Sequence, residues 1–239
     1  MRAAAAALAL ALWSGPAQAV TCEAMRFDNV GFTICRVDAA REDLRLYHAD
    51  AEGRPYGTFG ALEDAVAGDL AFAMNAGMFH RDLRPVGLYV EDGAELARVQ
   101  PNPGPGNFGL LPNGVLCLSE GRAEVIETLR WIEDAPECRD ATQSGPMLVI
   151  DGALHPKLLP GSTSRHIRNG VGTDADGREA VFAISDKPVN FHTFARLFRD
   201  GLGLAQALYL DGKVSRLHAP QIGRSDLGLP VGPMVAVVE

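Results

Sequence analysis

MLVIDG (147–152), RNGVGTD (168–174), VFAISDK (181–187) and ALYLDG (207–212) all lie between Met147 and Pro220. Each is an apolar, strand-like run joined to a polar or glycine-containing turn. Asp151, Asp186 and Asp211 therefore stand where strands give out, and Arg168 with Asn169 opens another. A strand holds its side chains on a rigid frame, and its end is the first place where a carboxylate can leave the core yet stay fixed. Binding and catalytic groups collect at such positions. A lone Asp before Gly more often just opens a turn. Three such endings in one stretch, with an arginine among them, favour a site.

Outward from this stretch the strand pattern continues. GFTICRV (31–37), LRLYHA (44–49), LAFAMN (70–75), VGLYVED (86–92), FGLL (108–111), GVLCL (114–118) and AEVIET (123–128) precede it, and MVAVVE (234–239) closes the chain. Helical periodicity is scarcer. FGALEDAVAG (59–68) sets Phe59, Leu62 and Val66 on one face. Over residues 190–200, Phe191, Phe194, Ala195 and Phe198 follow the i, i+3, i+4, i+7 spacing behind an Asn190 N-cap. His192, Arg196 and Arg199 fall on the opposite, solvated face, and Gly201 or Gly203 ends the helix. Many strands and few helices, without strict βα alternation, predict an α+β fold. It should be a single domain on a large mixed or mostly antiparallel sheet with a few flanking helices. No internal repeat or Ser/Gly linker divides it. PNPGPGN (101–107) is the strongest breaker cluster. It reads as a surface loop rather than a lid, by a small margin.

Residues 1–19 have the form of a signal peptide: Arg2, an apolar run over 3–13, and the small-residue signal Ala17-Gln18-Ala19. The run is too short to span a bilayer, and no later stretch approaches that length. The expected product is an exported domain of residues 20–239, periplasmic or secreted, without a transmembrane segment. Losing Arg2 takes the formal charge from −8 to −9. Such a balance argues against nucleic-acid binding, which needs clustered Lys and Arg, but permits a local basic pocket. Four cysteines in an oxidising compartment predict two bridges. Cys22–Cys35 and Cys117–Cys138 are the preferred pairs because each closes a short loop. No CxxC or HxxxH spacing suggests zinc.

Three constellations carry candidate chemistry. In MNAGMFHRD (74–82), Asn75 ends a strand with its amide available to a ligand hydroxyl, and Gly77 permits a turn. In SRHIRNGVGTD (164–174), Arg168 offers a planar, permanently charged fork for phosphate or carboxylate, with Arg165 as its rival. Asp186 and Asp211 form a carboxylate pair of the kind that suits glycosyl transfer to water. Ser215 and Ser144 are further polar candidates, but neither lies in G-x-S-x-G, and no P-loop occurs.

Taken in order, NAGMF (75–79), PVGLYVEDG (85–93), SGPMLVIDG (144–152), RNGVG (168–172), AISD (183–186) and LYLDGKVS (208–215) resemble the phosphodiester glycosidase family, from about residue 70 to 220. Ala76, Lys187 and Lys213-Val214 stand where the family pattern has glycine, which marks a divergent branch. The resemblance implies a hydrolase acting on the bond between a sugar's anomeric carbon and a phosphodiester. It carries catalytic roles onto Asp186, Asp211 and Arg168, and substrate contacts onto Asn75, Gly77, Gly212 and Ser215. The alternative is a non-catalytic envelope protein that binds a phosphorylated or acidic glycan in the same pocket. No cofactor is firmly implied; calcium is compatible with the carboxylates, and no metal ligands are assigned.

Overall fold

The computed structural model describes residues 20–239. The expected signal peptide over residues 1–19 lies outside the described residues. Strands dominate and fall into three sheets, and every ladder among the described residues is antiparallel. The α+β expectation holds, with the sheet divided rather than continuous. The first sheet runs, edge to edge, Val20–Phe27, Val30–Asp38, Glu179–Ser185, Asn169–Thr173, Gln206–Asp211, Met147–Ile150 and Ala153–Leu154. A five-stranded sheet centres on Leu70–Asn75, between Leu217–Ala219 and Met234–Val238. The other five-stranded sheet has Asp140–Ser144 at its centre, flanked by Tyr89–Glu91 and Gly114–Ser119.

One core joins the three. Val37, Phe182 and Leu208 from the first sheet meet Phe72 and Val235 from the second and Leu116 from the third. Phe72 and Phe182 bring their ring centroids to 4.8 Å across the sheets. The outer face of the seven-stranded sheet is covered by the predicted helix. Asn190 Oδ1 caps it by accepting from Thr193 N at 2.9 Å, and Phe191, Phe194, Ala195 and Phe198 are buried beneath it. The α-helix spans Phe191–Arg196 and widens into a π-turn over Leu197–Gly201. Its other face is less solvated than its polarity suggests: His192, Arg196 and Arg199 are half-buried, and Arg196 pairs with Asp28 and Asp200.

Three local readings change. The helix expected over 59–68 stops at Phe59–Glu63, where the chain turns toward Gly68, held at positive φ against the C-terminal Glu239. FGLL (108–111) is not a strand; it winds through turns into the cis Leu111–Pro112 bond. Gly170 and Gly172 likewise lie within a strand rather than a turn. A Cβ on Gly170 would come within 2.7 Å of Leu208 O in the neighbouring strand, so these glycines serve close packing.

Both expected disulfides form. Cys22 and Cys35 face each other in the Val20–Phe27/Val30–Asp38 ladder with Cα atoms 4.1 Å apart. Cys117 and Cys138 tie a strand of the third sheet to the segment entering its centre, 21 residues on. Cross-links that close loops of this length stabilise by about 3 kcal/mol, mainly by restricting the unfolded chain. Replacing Cys117 and Cys138 together with alanine should therefore lower the urea midpoint with a folded spectrum intact. An unchanged midpoint would show that the bridge adds nothing.

Candidate active site

Antiparallel pairing decides which strand ends meet. Glu179–Ser185 and Gln206–Asp211 run the same way, with Asn169–Thr173 opposed between them, so Asn169, Ser185 and Asp211 share one edge. Met147–Ile150 runs opposite to Gln206–Asp211, which sends Asp151 to the far edge. There Asp151 sits at positive φ and binds Arg130 in a two-armed ion pair, as a turn residue does.

At the shared edge the chain builds a cavity of about 420 Å³. Its walls include Met78 and Phe79, Asn107 and Phe108, His166, Tyr209, and the turn Asp211–Val214. The PNPGPGN segment is thus more than a surface loop, because Pro105, Gly106 and Asn107 contribute a wall. Its entry is anchored by the buried Gln143, whose Oε1 accepts from Gln100 N at 2.9 Å while its amide donates to Gln100 O at 2.9 Å.

Strand alternation supplies two of the cavity's polar groups. Tyr209 and Asp211, two residues apart, both face the cavity, while Leu208 and Leu210 point into the main core. A bulge helps: Asp211 pairs with Asn169 but Tyr209 pairs with Gly170, so this strand holds one residue more than its partner. Asp211 is 8% exposed. Its Oδ1 accepts from the Gly212 and Lys213 backbone N–H groups, and its own N–H donates to Asn169 Oδ1 at 2.8 Å. Oδ2 has only a long contact, 3.4 Å, from Asn75 Nδ2. One oxygen is therefore locked and the other is left for the cavity. Burial pushes the Asp211 carboxyl above the ordinary range, and the backbone N–H groups of Lys213, Gly212 and Val214 offset part of this, as does the Lys213 charge.

Arg168 is wholly buried just behind this wall. Nε donates to Val189 O at 2.9 Å, Nη2 to Ser164 O at 3.1 Å and Nη1 to the Tyr209 hydroxyl at 3.1 Å. The guanidinium also stacks 3.6 Å from the Phe191 ring centroid. No carboxylate among the described residues pairs with it, although most other arginines of this chain have one. Burial pulls its pKa down, opposed by Tyr209. An arginine stays protonated even so, and a buried cation without a counter-ion is destabilising.

Asn75 is also fully buried, and its amide is committed to the scaffold. Oδ1 accepts from Asn169 Nδ2 at 2.9 Å and from Arg216 N at 3.0 Å, and Nδ2 reaches Asp211. It ties the second sheet to the first beneath the carboxylate rather than lining the cavity. Gly77 is buried beside it, where a Cβ would lie 3.0 Å from Thr142 Oγ1. Ser215 braces the turn, its Oγ lying within hydrogen-bond distance of two carbonyls that can share its one proton, Asp211 O at 2.7 Å and Ile167 O at 3.0 Å. Of the four expected substrate contacts, Gly212 lines the cavity and the other three do not.

Asp186 does not join Asp211. It sits two strands away, outside the cavity lining, half-exposed, with Oδ1 3.6 Å from Arg224 Nη1. Nor do the carboxylates suit calcium, which takes six to eight oxygens. Among the described residues Asp211 is the one carboxylate that lines the cavity, and no three of His, Cys, Asp and Glu converge. Sequence reasoning passes over Tyr209 and gives Asn169 no role beyond opening a strand. The period-two spacing of Tyr209 from Asp211 is the signal that points to the first. Nothing in the sequence alone places Asn169 against Asn75.

The chain matches the phosphodiester glycosidase family over residues 68–219, a span holding Asn75, Arg168, Tyr209 and Asp211. It is 34% identical over 184 residues to the uncharacterised protein YigE of Escherichia coli (strain K12), covering 76% of this chain and 72% of that protein. Its fold is similar to that of the zebrafish N-acetylglucosamine-1-phosphodiester alpha-N-acetylglucosaminidase catalytic domain, auto-inhibited by its pro-peptide. The TM-score is 0.64 at 13% identity, over 92% of this chain and 82% of that one. A hypothetical protein from Synechocystis aligns with TM-score 0.61 at 13% identity, over 93% of this chain and 62% of the other. Identity this low speaks to the fold alone.

Proposed function

The chain belongs to the phosphodiester glycosidase family, and from that premise we propose that it is an exported hydrolase cleaving the bond between a sugar's anomeric carbon and a phosphodiester oxygen. The observation that carries this reading is one cavity wall holding Asp211, a carboxylate with one oxygen only loosely engaged, and Tyr209, behind which the guanidinium of Arg168 is buried without a carboxylate partner among the described residues. Two disulfides, and the lack among the described residues of any helix long and apolar enough to cross a membrane, are consistent with export.

In this reading Asp211 Oδ2 takes a proton from water as the water oxygen bonds to the anomeric carbon. The bond between the anomeric carbon and the oxygen bridging to phosphorus breaks, and its electron pair stays on that oxygen of the departing phosphate monoester. That leaving group is a weak base and needs no general acid, so a single carboxylate suffices where ordinary glycosides need two. A carboxyl raised by burial is a better base near neutrality. Arg168 offsets the negative charge gathering on the phosphate, in a site of low dielectric. Asp186 has no step here.

Hydrolysis of a methyl sugar-1-phosphodiester in ¹⁸O-labelled water tests the proposal. The label should enter the sugar, and the first product by NMR should have inverted anomeric configuration. Label in the phosphate would mean phosphorus–oxygen cleavage. Retained configuration would make Asp211 a nucleophile on carbon. Asp186 lying outside the cavity favours the alternative, a glycan-binding protein; tight binding of the phosphodiester without turnover would establish it.

A further inference from the structure

Arg168 does not itself line the cavity, whereas Tyr209 does. The Tyr209 oxygen accepts from Arg168 Nη1 at 3.1 Å, and Asn107 lines the same cavity. A hydroxyl whose oxygen accepts from an N–H donor still has its own proton to give, and no acceptor among the described residues takes it. Gly212 shapes the space, because a Cβ there would overlap the Tyr209 hydroxyl. Burial also keeps this phenol protonated, pushing it well above the ordinary range.

We propose that Tyr209 is the contact through which the Arg168 charge reaches the substrate, its O–H donating to a non-bridging oxygen of the phosphodiester. A donor polarised by a buried cation is matched best by an anion, and Lys213 and His166 line the same cavity. The choice of a phosphoryl oxygen rests on the hydrolase reading above. The contact with an anion does not. No covalent change occurs at Tyr209: the hydrogen bond tightens as the phosphate departs, and the proton stays on the phenol.

The test has two arms. In the first, wild type and Tyr209→Phe are assayed on the two diastereomers of a sugar phosphorothioate diester, in which sulfur replaces one or the other non-bridging oxygen. Wild type should be slowed on one diastereomer. Tyr209→Phe should lower kcat on the oxygen substrate about 10²-fold with little change in KM, and should lose the diastereomer preference. A residue that merely packs would leave that preference intact, so an unchanged preference or unchanged kcat overturns the proposal. The second arm needs neither turnover nor the variant. The protein has four tyrosines. With ¹³Cζ-tyrosine label, and Tyr47, Tyr56 and Tyr89 assigned by their own phenylalanine variants, the Tyr209 signal should shift on saturation with methyl phosphate. A fixed signal, or no binding of methyl phosphate, overturns the proposal. If the signal shifts but wild type cleaves no sugar phosphodiester, the hydrolase reading falls while the contact stands.

Discussion

Asp211→Asn should lower kcat about a thousandfold, the scale of a lost general base, while the protein melts no lower than wild type at pH 7. The two halves follow from the same geometry. Asparagine keeps an oxygen to accept from the Gly212 and Lys213 N–H groups, so the turn survives. The oxygen that is lost had only the 3.4 Å contact from Asn75. Because burial raises the folded-state pKa of Asp211, its contribution to stability is fully present below the unfolded value, about 4, and is lost as pH rises through the higher folded value. The variant should thus match or exceed wild-type stability at neutral pH, and any advantage should vanish in acid. Melting curves across pH beside steady-state kinetics decide the matter. Full activity would make Asp211 a turn residue. A large loss of stability would mean that its charge holds the fold.

Arg168→Met should lower kcat by a further margin than Arg168→Lys, on the order of 10³-fold against 10²-fold. Both should change KM less than kcat. The planar fork binds Val189 O, Ser164 O and Tyr209 at once, and an ammonium cannot span all three. Lysine therefore keeps the charge while loosening the hydroxyl it must polarise, and methionine removes the charge outright. Both variants leave buried carbonyls without donors, so about 2–3 kcal/mol of stability should go as well. Kinetics therefore belong well below the melting transition of each variant. Arg165, exposed on the preceding loop, should tolerate substitution with little change. If both Arg168 variants lose only affinity, the guanidinium binds substrate but takes no part in the chemistry.

How much of this was legible in the sequence depended on which forces were local. Strand runs with period-two burial, the Asn190 cap and the short disulfide loops are set by neighbouring residues and could be read directly. The Asp211 turn was legible too, because Asp-Gly after LYL marks a strand ending. Which endings meet was not. Asp151 has the same Asp-Gly signature and Asp186 likewise ends an apolar run, and only antiparallel pairing sends one to the far edge and strand order sets the other two strands away. Asn75 stands out at its strand end, but its partners lie 94 and 136 residues off, and no local pattern reveals that its amide faces inward. FGLL looked like a strand because apolar residues also line cavities. Arg168 reads as a charged fork for ligand, while its burial behind Tyr209 depends on Phe191 closing over it from a separate helix.

The overlap between Tyr209 and any side chain at position 212 restricts how this site can change over time. While tyrosine occupies 209, every replacement of Gly212 meets the hydroxyl. The reverse is free of that obstacle, since a smaller residue at 209 removes the hydroxyl and leaves room above the glycine. The two positions therefore form an ordered pair: a lineage must first shrink 209 before 212 can grow. The intermediate in such a path has already given up the group that touches the cavity, so relatives that retain a tyrosine at 209 should retain the glycine with it.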